Sequence, residues 1–203
     1  GASDMKAGLA AAMLAGRAAK KNDAVDGKVF LTFAMGEETA EPGTKTMLEE
    51  IDADYGVVLE PTELEVHTAS KGLAWYVIDI EGEPSHASRP NNGKNALEAL
   101  LMVKKQISAY QEQISDRTHP LVGQSLCTPT MASAGVKENV IPESAELRID
   151  RRFLPHENPG NLDEEINKLF EPLRNDGYSV SVRRTRTYEA AEIDGDAQIA
   201  RVF

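Results

Sequence analysis

The sequence has almost no cysteine and no long apolar run. A single cysteine, Cys127, among 203 residues excludes an internal disulfide framework and a zinc site built from several cysteines. No apolar stretch approaches the roughly 20 residues that a membrane-spanning helix needs, and the first 21 residues lack the pattern of a signal peptide. We therefore expect a cytoplasmic protein that has no membrane partner.

Positive charge is also in short supply. The chain has 22 Lys and Arg against 33 Asp and Glu, for a net charge of −11, which argues against nucleic acid or an anionic membrane as a partner. Hydrophobic residues make up 41% of the chain and charged residues 27%, as in globular proteins. This length allows one large domain or two small ones.

Helical and strand patterns alternate over residues 1–67. An Ala-rich stretch, Met5–Lys21, predicts a largely buried helix, and a short helix is expected around residues 43–51. Between and after them, residues 28–35 and 55–62 have the apolar, β-favouring character of strands covered on both faces. This order predicts an α/β layer with parallel strands, and we expect it to be part of a longer domain.

The pattern changes after about residue 67. Four strand patterns and two helix patterns follow in the order β-α-β-β-α-β, which is the ferredoxin-like split arrangement. We therefore predict a second domain at residues 68–188, inserted into the first, with residues 189–203 returning to the first domain. The predicted strands are residues 73–81, 125–134, 145–153 and 178–188, and the predicted helices are Asn95–Ile114 and Leu162–Leu173. Residues 145–153 alternate, so that Leu147 and Ile149 are expected to face one way and the charged residues between them the other. Trp75 is expected in the domain core or an interface.

Three segments of the first layer each end or begin at an acid. Glu38 follows one predicted strand, Glu60 ends the next, and Asp4 opens the first helix. The carboxyl ends of parallel strands lie at one edge of a sheet, where ligands bind. Crowded carboxylates need a counter-charge, and a zinc, cobalt or manganese ion provides one. A neighbouring acid that does not touch the metal, such as Glu37, is then suited to act as a general base.

Each of these acids also has a simpler interpretation. Asp4 has the position of a helix N-cap, which is a common use of aspartate. Glu37 and Glu38 have the composition of a solvated loop, and Glu60 is compatible with a strand-end acid that has no special role. Only the conjunction of the three segments favours a metal site.

Six motifs then indicate a family. "GASDMKAGLAA", "AMGEETAEPGT", "VVLEPTE", "GEPSHASRPNNGKNALEAL", "NVIP" and "DRRFLPHENP" resemble, in order, motifs of the di-zinc aminoacylases, deacylases and carboxypeptidases. That family includes acetylornithine deacetylase, succinyl-diaminopimelate desuccinylase and glutamate-releasing carboxypeptidases. The resemblance implies a partial parallel-sheet metallohydrolase domain that carries an inserted ferredoxin-like lid or dimerisation domain.

The resemblance also implies roles for the acids. Asp4 matches the carboxylate that bridges two zinc ions, and Glu38 and Glu60 match ligands of one ion each. Glu37 matches the general base that takes a proton from the bridging water. On this interpretation the two metals supply the positive field that makes the adjacent carboxylates of Glu37 and Glu38 tolerable.

Three residues of the inserted domain match groups that contact the substrate. His86 matches a histidine that, in dimeric members, reaches the active site of the neighbouring subunit and stabilises the oxyanion. Asn139 matches a residue near the substrate or oxyanion, and Arg152 matches an arginine that binds the substrate's carboxylate. The alternatives are a turn histidine, a turn asparagine and a solvated strand arginine paired with Asp150.

Two parts of the family pattern are missing. An upstream His-x-Asp motif and a downstream histidine ligand do not occur in these 203 residues, so we expect the chain by itself to bind metal poorly and to be catalytically inactive. The full protein is expected to hydrolyse N-acyl amino acids or small peptides as a homodimer. The alternatives are a fragment that serves in dimerisation, and a small-molecule binding protein that kept the cleft and lost hydrolysis.

Overall fold

The structure is a computed structural model that describes residues 1–22, 25–36 and 42–202. It contains two compact units. The first unit comprises Gly1–Val66 and Gln198–Phe203, and the second comprises His67–Ala197. The fold is mixed α/β, and its sheets are antiparallel.

The first unit consists of helices and extended segments. An irregular turn, Ala2–Lys6, leads into α1, Ala7–Asn22, and the second helix is α2, Pro42–Glu50. Both predicted helices are therefore present. No residue of α1 is buried, so the prediction of a buried helix was wrong, since an Ala-rich pattern reports helix propensity more than burial. None of the described helices has the length and apolarity needed to cross a membrane.

The two strands predicted for this unit are not formed. Residues 28–35 and 55–62 have no strand assignment, and side chains such as Phe30 are exposed. An apolar pattern indicates a preference for burial, but a strand also needs a neighbour that supplies N–H and C=O partners. The segments instead lie against α1 where it has glycines. A Cβ at Gly8 would lie 2.5 Å from the Leu59 carbonyl oxygen.

The second unit is built on a four-stranded antiparallel sheet. The strands are β1 (Ala69–Ser70), β2 (Gly72–Glu81), β3 (Thr118–His119), β4 (Gly123–Gln124), β5 (Leu126–Ala134), β6 (Ser144–Phe153), β7 (Ser179–Tyr188) and β8 (Ala191–Glu192). The strand order in the sheet is β5-β6-β2-β7, and β1-β8 and β3-β4 form two separate two-stranded ladders. The helices are α3 (Ala96–Ile114), α4 (Leu162–Lys168) and α5 (Glu171–Asn175).

This arrangement is the predicted β-α-β-β-α-β fold. The helix α3 follows β2 and begins directly after Asn95, whose side chain caps it by accepting a hydrogen bond of 3.0 Å from the Leu97 N–H. The second predicted helix is divided into α4 and α5. Pro172 lies in the first turn of α5, and its ring nitrogen has no hydrogen to continue the ladder of α4.

The core lies between one face of the sheet and the helices. Leu147 and Ile149 of β6 are 3% and 1% exposed, and they pack in one cluster with residues of β2, α3 and α4 such as Ile78, Ile107 and Ile166. The alternation predicted for β6 is therefore confirmed. Even-numbered residues of β6 lie on the opposite side, which we call the outer face of the sheet.

The end of the second unit differs from the sequence interpretation. Residues 189–197 were expected to return to the first domain, but β8 pairs with β1, and Ala69 lies opposite Glu192. The Ile193 N–H also donates to the Thr68 carbonyl at 2.8 Å. Backbone pairing thus holds this segment in the second unit.

Candidate functional site

The predicted acids of the first unit are only partly within the described residues. Asp4 is exposed in the irregular turn before α1, with non-helical backbone angles (φ −112°, ψ 103°). Glu60 is exposed at the end of an extended segment. Glu37 and Glu38 lie outside the described residues.

The metal centre stays a prediction. Within residues 1–22, 25–36 and 42–202, no three histidine, cysteine or acidic side chains lie close enough to hold a metal ion. Asp4 and Glu60 carry the hard oxygen donors that zinc, cobalt and manganese accept, so their chemistry fits such a centre.

In the second unit the structure brings His86 and Asn139 together. Two segments run antiparallel beyond the end of β2, with His86 opposite Val140. The Ala87 N–H donates to the Asn139 carbonyl at 2.9 Å, and the Ile141 N–H donates to the Ser85 carbonyl at 2.8 Å. These bonds hold the two loops that carry the predicted substrate-contacting residues side by side.

Local hydrogen bonds fix the ring of His86. The Ser88 N–H lies 3.2 Å from Nδ1, and the Ser88 hydroxyl lies 2.8 Å from the same atom. A backbone N–H can only donate, so Nδ1 accepts, and the neutral ring then carries its proton on Nε2. His86 is exposed, which leaves Nε2–H as a donor directed away from its own loop. This is the tautomer that an oxyanion-stabilising histidine needs.

Arg152 lies on the outer face of the sheet, paired with Asp150. Its Nε donates to Asp150 Oδ1 at 2.7 Å, and its Nη2 donates to Asp150 Oδ2 at 3.0 Å. The arginine side chain is 42% exposed and that of Asp150 is 20% exposed. The pairing with Asp150 that the sequence offered as an alternative is therefore present, and the predicted role in substrate binding stays a prediction.

An aromatic side chain completes this cluster. Trp75 of β2 lies opposite both Asp150 and Arg186. Its indole N–H donates to Asp150 Oδ2 at 2.9 Å, and the Arg186 guanidinium lies over its ring, 4.5 Å from the centroid. The sequence interpretation assigned Trp75 to a core or an interface. No pattern in the sequence indicated its bond to Asp150, because that bond joins residues 75 positions apart.

The two predicted substrate-contacting clusters lie at opposite ends of the sheet. Arg152 pairs with Leu73 near the start of β2, whereas the His86 loop follows Glu81 at its end. Eight residues of extended strand separate these ends, which corresponds to roughly 26 Å at about 3.3 Å per residue. One copy of the second unit therefore does not place His86 and Arg152 on the same small molecule.

A comparison with protein families identifies the second unit. Residues 68–176 match the family described as the peptidase dimerisation domain, and these residues are more than half of the chain. The chain belongs to this family. The match begins just before β1 and ends just after α5, so the peptidase dimerisation domain includes His86, Asn139, Arg152, Asp150 and Trp75.

Curated proteins with similar sequences are deacylases by name. The chain is 29% identical over 151 residues to an acetylornithine deacetylase from Erwinia tasmaniensis, covering 71% of this chain and 39% of that protein. It is 27% identical over 200 residues to a succinyl-diaminopimelate desuccinylase from Wolbachia pipientis wMel, covering 92% of this chain and 49% of that protein. The chain thus spans less than half of the length of these two relatives.

A solved structure agrees in fold over nearly the whole chain. The crystal structure of aminopeptidase PepT from Bacillus cereus superposes with a TM-score of 0.75 and 21% sequence identity, covering 98% of this chain and 52% of that one. At this identity the likeness shows the fold alone. The helices and extended segments of the first unit are included in that likeness.

The peptidase dimerisation domain also contains a buried charge that the sequence interpretation missed. Arg151 is 0% exposed and donates to Glu157 Oε1 at 2.6 Å. The alternation along β6 contains the signal, since Arg151 is two residues beyond the inward-facing Ile149. An arginine at an inward position predicts a buried acidic partner, and Glu157 lies six residues farther along.

Proposed function

We propose that this protein is a metal-dependent amide hydrolase that acts on N-acyl amino acids or small peptides with a free carboxylate. The observation that carries the proposal is the match of residues 68–176 to the peptidase dimerisation domain, a range that contains His86, Asn139 and Arg152. The names of the similar proteins, acetylornithine deacetylase and succinyl-diaminopimelate desuccinylase, support the same class of reaction.

In this proposal the acids of the first unit have two roles, metal binding and proton transfer. Asp4, Glu38 and Glu60 would hold two zinc ions, for which cobalt or manganese are alternatives. Zinc, when bound, lowers the pKa of water and polarises the amide carbonyl. Glu37 accepts a proton from the attacking water and delivers it to the leaving amine.

The residues of the second unit bind and orient the substrate. Arg152 binds the free carboxylate of the substrate, and His86 donates from Nε2 to the developing oxyanion with Asn139 beside it. The separation of about 26 Å between their positions on the sheet supports a homodimer, in which one copy supplies Arg152 and the other supplies His86 and Asn139.

The surface for this homodimer is proposed on β5 and α3. The strand β5 is an edge of the sheet, with backbone groups that are open to another strand. Leu101 of α3 is 65% exposed and Met131 of β5 is 61% exposed, and α3 packs along β5. A second copy that pairs along β5 would cover both apolar side chains and continue the sheet.

The catalytic part is tested by Glu37→Gln in the full-length protein. Hydrolysis of N-acetyl amino acids is expected to fall by at least about a thousandfold, because the general base is lost, while the zinc content is unchanged. Glu50→Gln, on α2, is the matched control and should retain activity. Normal turnover by Glu37→Gln would refute the assignment.

The dimer is tested by Leu101→Asp, with Leu121→Asp as a control at a similarly exposed apolar residue in the turn between β3 and β4. Sedimentation is expected to show a dimer for the unmodified chain and the control, and a monomer for Leu101→Asp, since a charge in an apolar interface costs several kcal/mol. A dimeric Leu101→Asp variant would exclude this surface. A chain that dimerises while the full-length protein hydrolyses nothing would favour a purely structural role.

A further inference from the structure

We infer that Asp150 and Trp75 are positioning residues that hold the Arg152 guanidinium in one orientation, so that its outer edge receives the carboxylate of the substrate. This inference rests on the proposed function, in which Arg152 binds that carboxylate. It explains how Arg152 keeps one orientation, although it is a long side chain on an open face of the sheet that would otherwise be mobile.

The hydrogen bonds to Asp150 use only one edge of the guanidinium. Asp150 accepts from Nε at 2.7 Å and from Nη2 at 3.0 Å, which accounts for two of the five N–H donors of the arginine. Both hydrogens on Nη1 and one on Nη2 are left. The remaining Nη2 hydrogen and one Nη1 hydrogen form the edge that binds a second carboxylate in parallel hydrogen bonds. One edge of the guanidinium is therefore occupied by Asp150, and the other edge is available to the carboxylate of a substrate.

Asp150 is itself held from the neighbouring strand. The Trp75 indole N–H donates to Asp150 Oδ2 at 2.9 Å, and Asp150 is less exposed than the arginine that it binds, at 20% against 42%. Trp75 is in turn stacked by Arg186 of β7. The contacts thus run through Arg186, Trp75, Asp150 and Arg152 across three strands, and each member limits the rotation of the next.

The charges of the cluster leave it attractive to an anion. Asp150 neutralises Arg152, but Arg186 adds a second positive charge, for which the described part of the chain provides no acidic partner. The three ionised groups, Arg152, Asp150 and Arg186, sum to +1. This patch belongs to a chain whose net charge is −11, so it differs in sign from the molecule as a whole.

A second pair on the same strand provides a matched control. Arg148 donates through Nε to Glu146 at 2.8 Å, with the same two-residue spacing and on the same outer face as Arg152 and Asp150. Glu146 binds one donor of its arginine instead of two, and no tryptophan donates to it. Glu146→Gln therefore removes a comparable charge from the same face without altering the orientation of Arg152.

The experiment measures carboxylate binding and turnover separately. Binding of N-acetyl-L-alanine and of its C-terminal amide is measured by calorimetry on the full-length protein that carries Glu37→Gln, which prevents hydrolysis during the titration, alone and combined with Asp150→Asn or Glu146→Gln. KM and kcat are measured on the same forms with Glu37 intact. We expect Asp150→Asn to raise Kd and KM by about tenfold or more, which is the loss of one good charge-assisted hydrogen bond. We expect kcat to stay within about twofold, since the lost interaction stabilises the bound substrate and the transition state equally. Glu146→Gln should leave all three constants within about twofold, and the amide should bind weakly to every form.

Three outcomes would overturn the inference. Tighter binding by Asp150→Asn would mean that the aspartate acts only as an opposing charge, and equal binding by Asp150→Asn and Glu146→Gln would remove its special role. Absence of carboxylate binding by the protein that carries Glu37→Gln alone would also refute it. Trp75→Phe, which keeps an aromatic side chain but removes the indole N–H together with the five-membered ring, should raise Kd about threefold, and it provides the test if Asp150→Asn does not fold.

The inference and the proposed function can fail separately. If the protein binds N-acetyl-L-alanine with the expected dependence on Asp150 but hydrolyses no N-acyl amino acid, the positioning role holds and the proposed function fails. If it hydrolyses such substrates and Asp150→Asn behaves like Glu146→Gln, the function holds and the positioning role fails.

Discussion

Arg151 and Glu157 form an ion pair inside the second unit. Arg151 Nη2 lies 2.6 Å from Glu157 Oε1, and the two side chains are 0% and 7% exposed. Removing two charges from water costs several kcal/mol per ion, and their attraction repays this only if the other polar atoms also have partners. The surroundings of the pair therefore decide whether it is stable.

Both side chains of this ion pair have further hydrogen-bond partners. Glu157 also binds Arg117 at 2.9 Å and the Leu154 N–H at 2.8 Å, and it accepts a hydrogen bond from the Ser125 hydroxyl. Arg151 donates through Nε to the Tyr110 hydroxyl at 3.2 Å. No buried side-chain nitrogen or oxygen in the described residues is without a hydrogen bond. The network joins α3, β6 and the loop after β6.

We expect Glu157→Gln to destabilise the second unit strongly. The change keeps the size of the side chain but leaves the buried Arg151 without its counter-charge, which costs about 3 kcal/mol. Urea unfolding measures the difference, with the fluorescence of Trp75, the only tryptophan, reporting on the second unit. Glu146→Gln, which breaks an ion pair on the surface, should cost less than about 1 kcal/mol. Equal costs for the two variants would contradict the account of the buried pair.

Stability should also depend on pH through Glu157. Burial alone raises the pKa of this carboxyl, but hydrogen bonds from Ser125, Arg117 and the Leu154 N–H, together with the charge of Arg151, outweigh it and lower the pKa to about 2. Because the folded pKa is below the unfolded value, the stabilisation is present above about pH 4.5 and is lost as the pH falls towards 2. The full shift corresponds to about 3 kcal/mol. Urea unfolding at pH 7 and pH 3 should show a smaller decrease for Glu157→Gln than for the unmodified chain. An equal decrease in stability for the two proteins would show that the Glu157 carboxyl is not the source of the pH dependence.

The thiol of Cys127 should be unreactive in the folded protein. Its side chain is 2% exposed, and burial raises its pKa to about 12, so at pH 8 only about one thiol in ten thousand is ionised. We expect no labelling by a thiol reagent in native buffer and one labelled cysteine per chain in denaturant. Fast labelling of the native protein would show that β5 opens readily.

Truncation of two apolar residues of α3, one buried and one exposed, should change the stability of the protein by very different amounts. Ile107 is 0% exposed and Leu101 is 65% exposed. Ile107→Ala leaves a cavity in the core and should cost about 2–5 kcal/mol, whereas Leu101→Ala should change the stability of the monomer by less than about 0.5 kcal/mol. Thermal unfolding at low protein concentration compares them without a contribution from association. A large loss for Leu101→Ala under these conditions would mean that this side chain is packed within the monomer.

Sequence patterns predicted the main strands and helices of the second unit because each of these elements buries one face. The alternation in residues 145–153 predicted β6 with Leu147 and Ile149 inward, and both are buried. The helical spacing predicted α3, and Asn95 marks its start. Such patterns are local and strong when one side of an element faces a core. The predicted strands of the first unit failed for the complementary reason, since residues 28–35 and 55–62 have the composition of strands but pair with no other strand in the part of the chain that the structure describes.

The sequence by itself determined the order of the elements in the second unit, the family motifs and the types of residue available for chemistry. Only the tertiary structure decided which of those residues meet. It placed Arg151 and Glu157 inside the fold, joined Trp75 to Asp150 across neighbouring strands, and separated Arg152 from His86 by the length of β2. The physical reason is that propensity and periodicity act between near neighbours in the chain, whereas strand register and burial bring together side chains that are far apart in it.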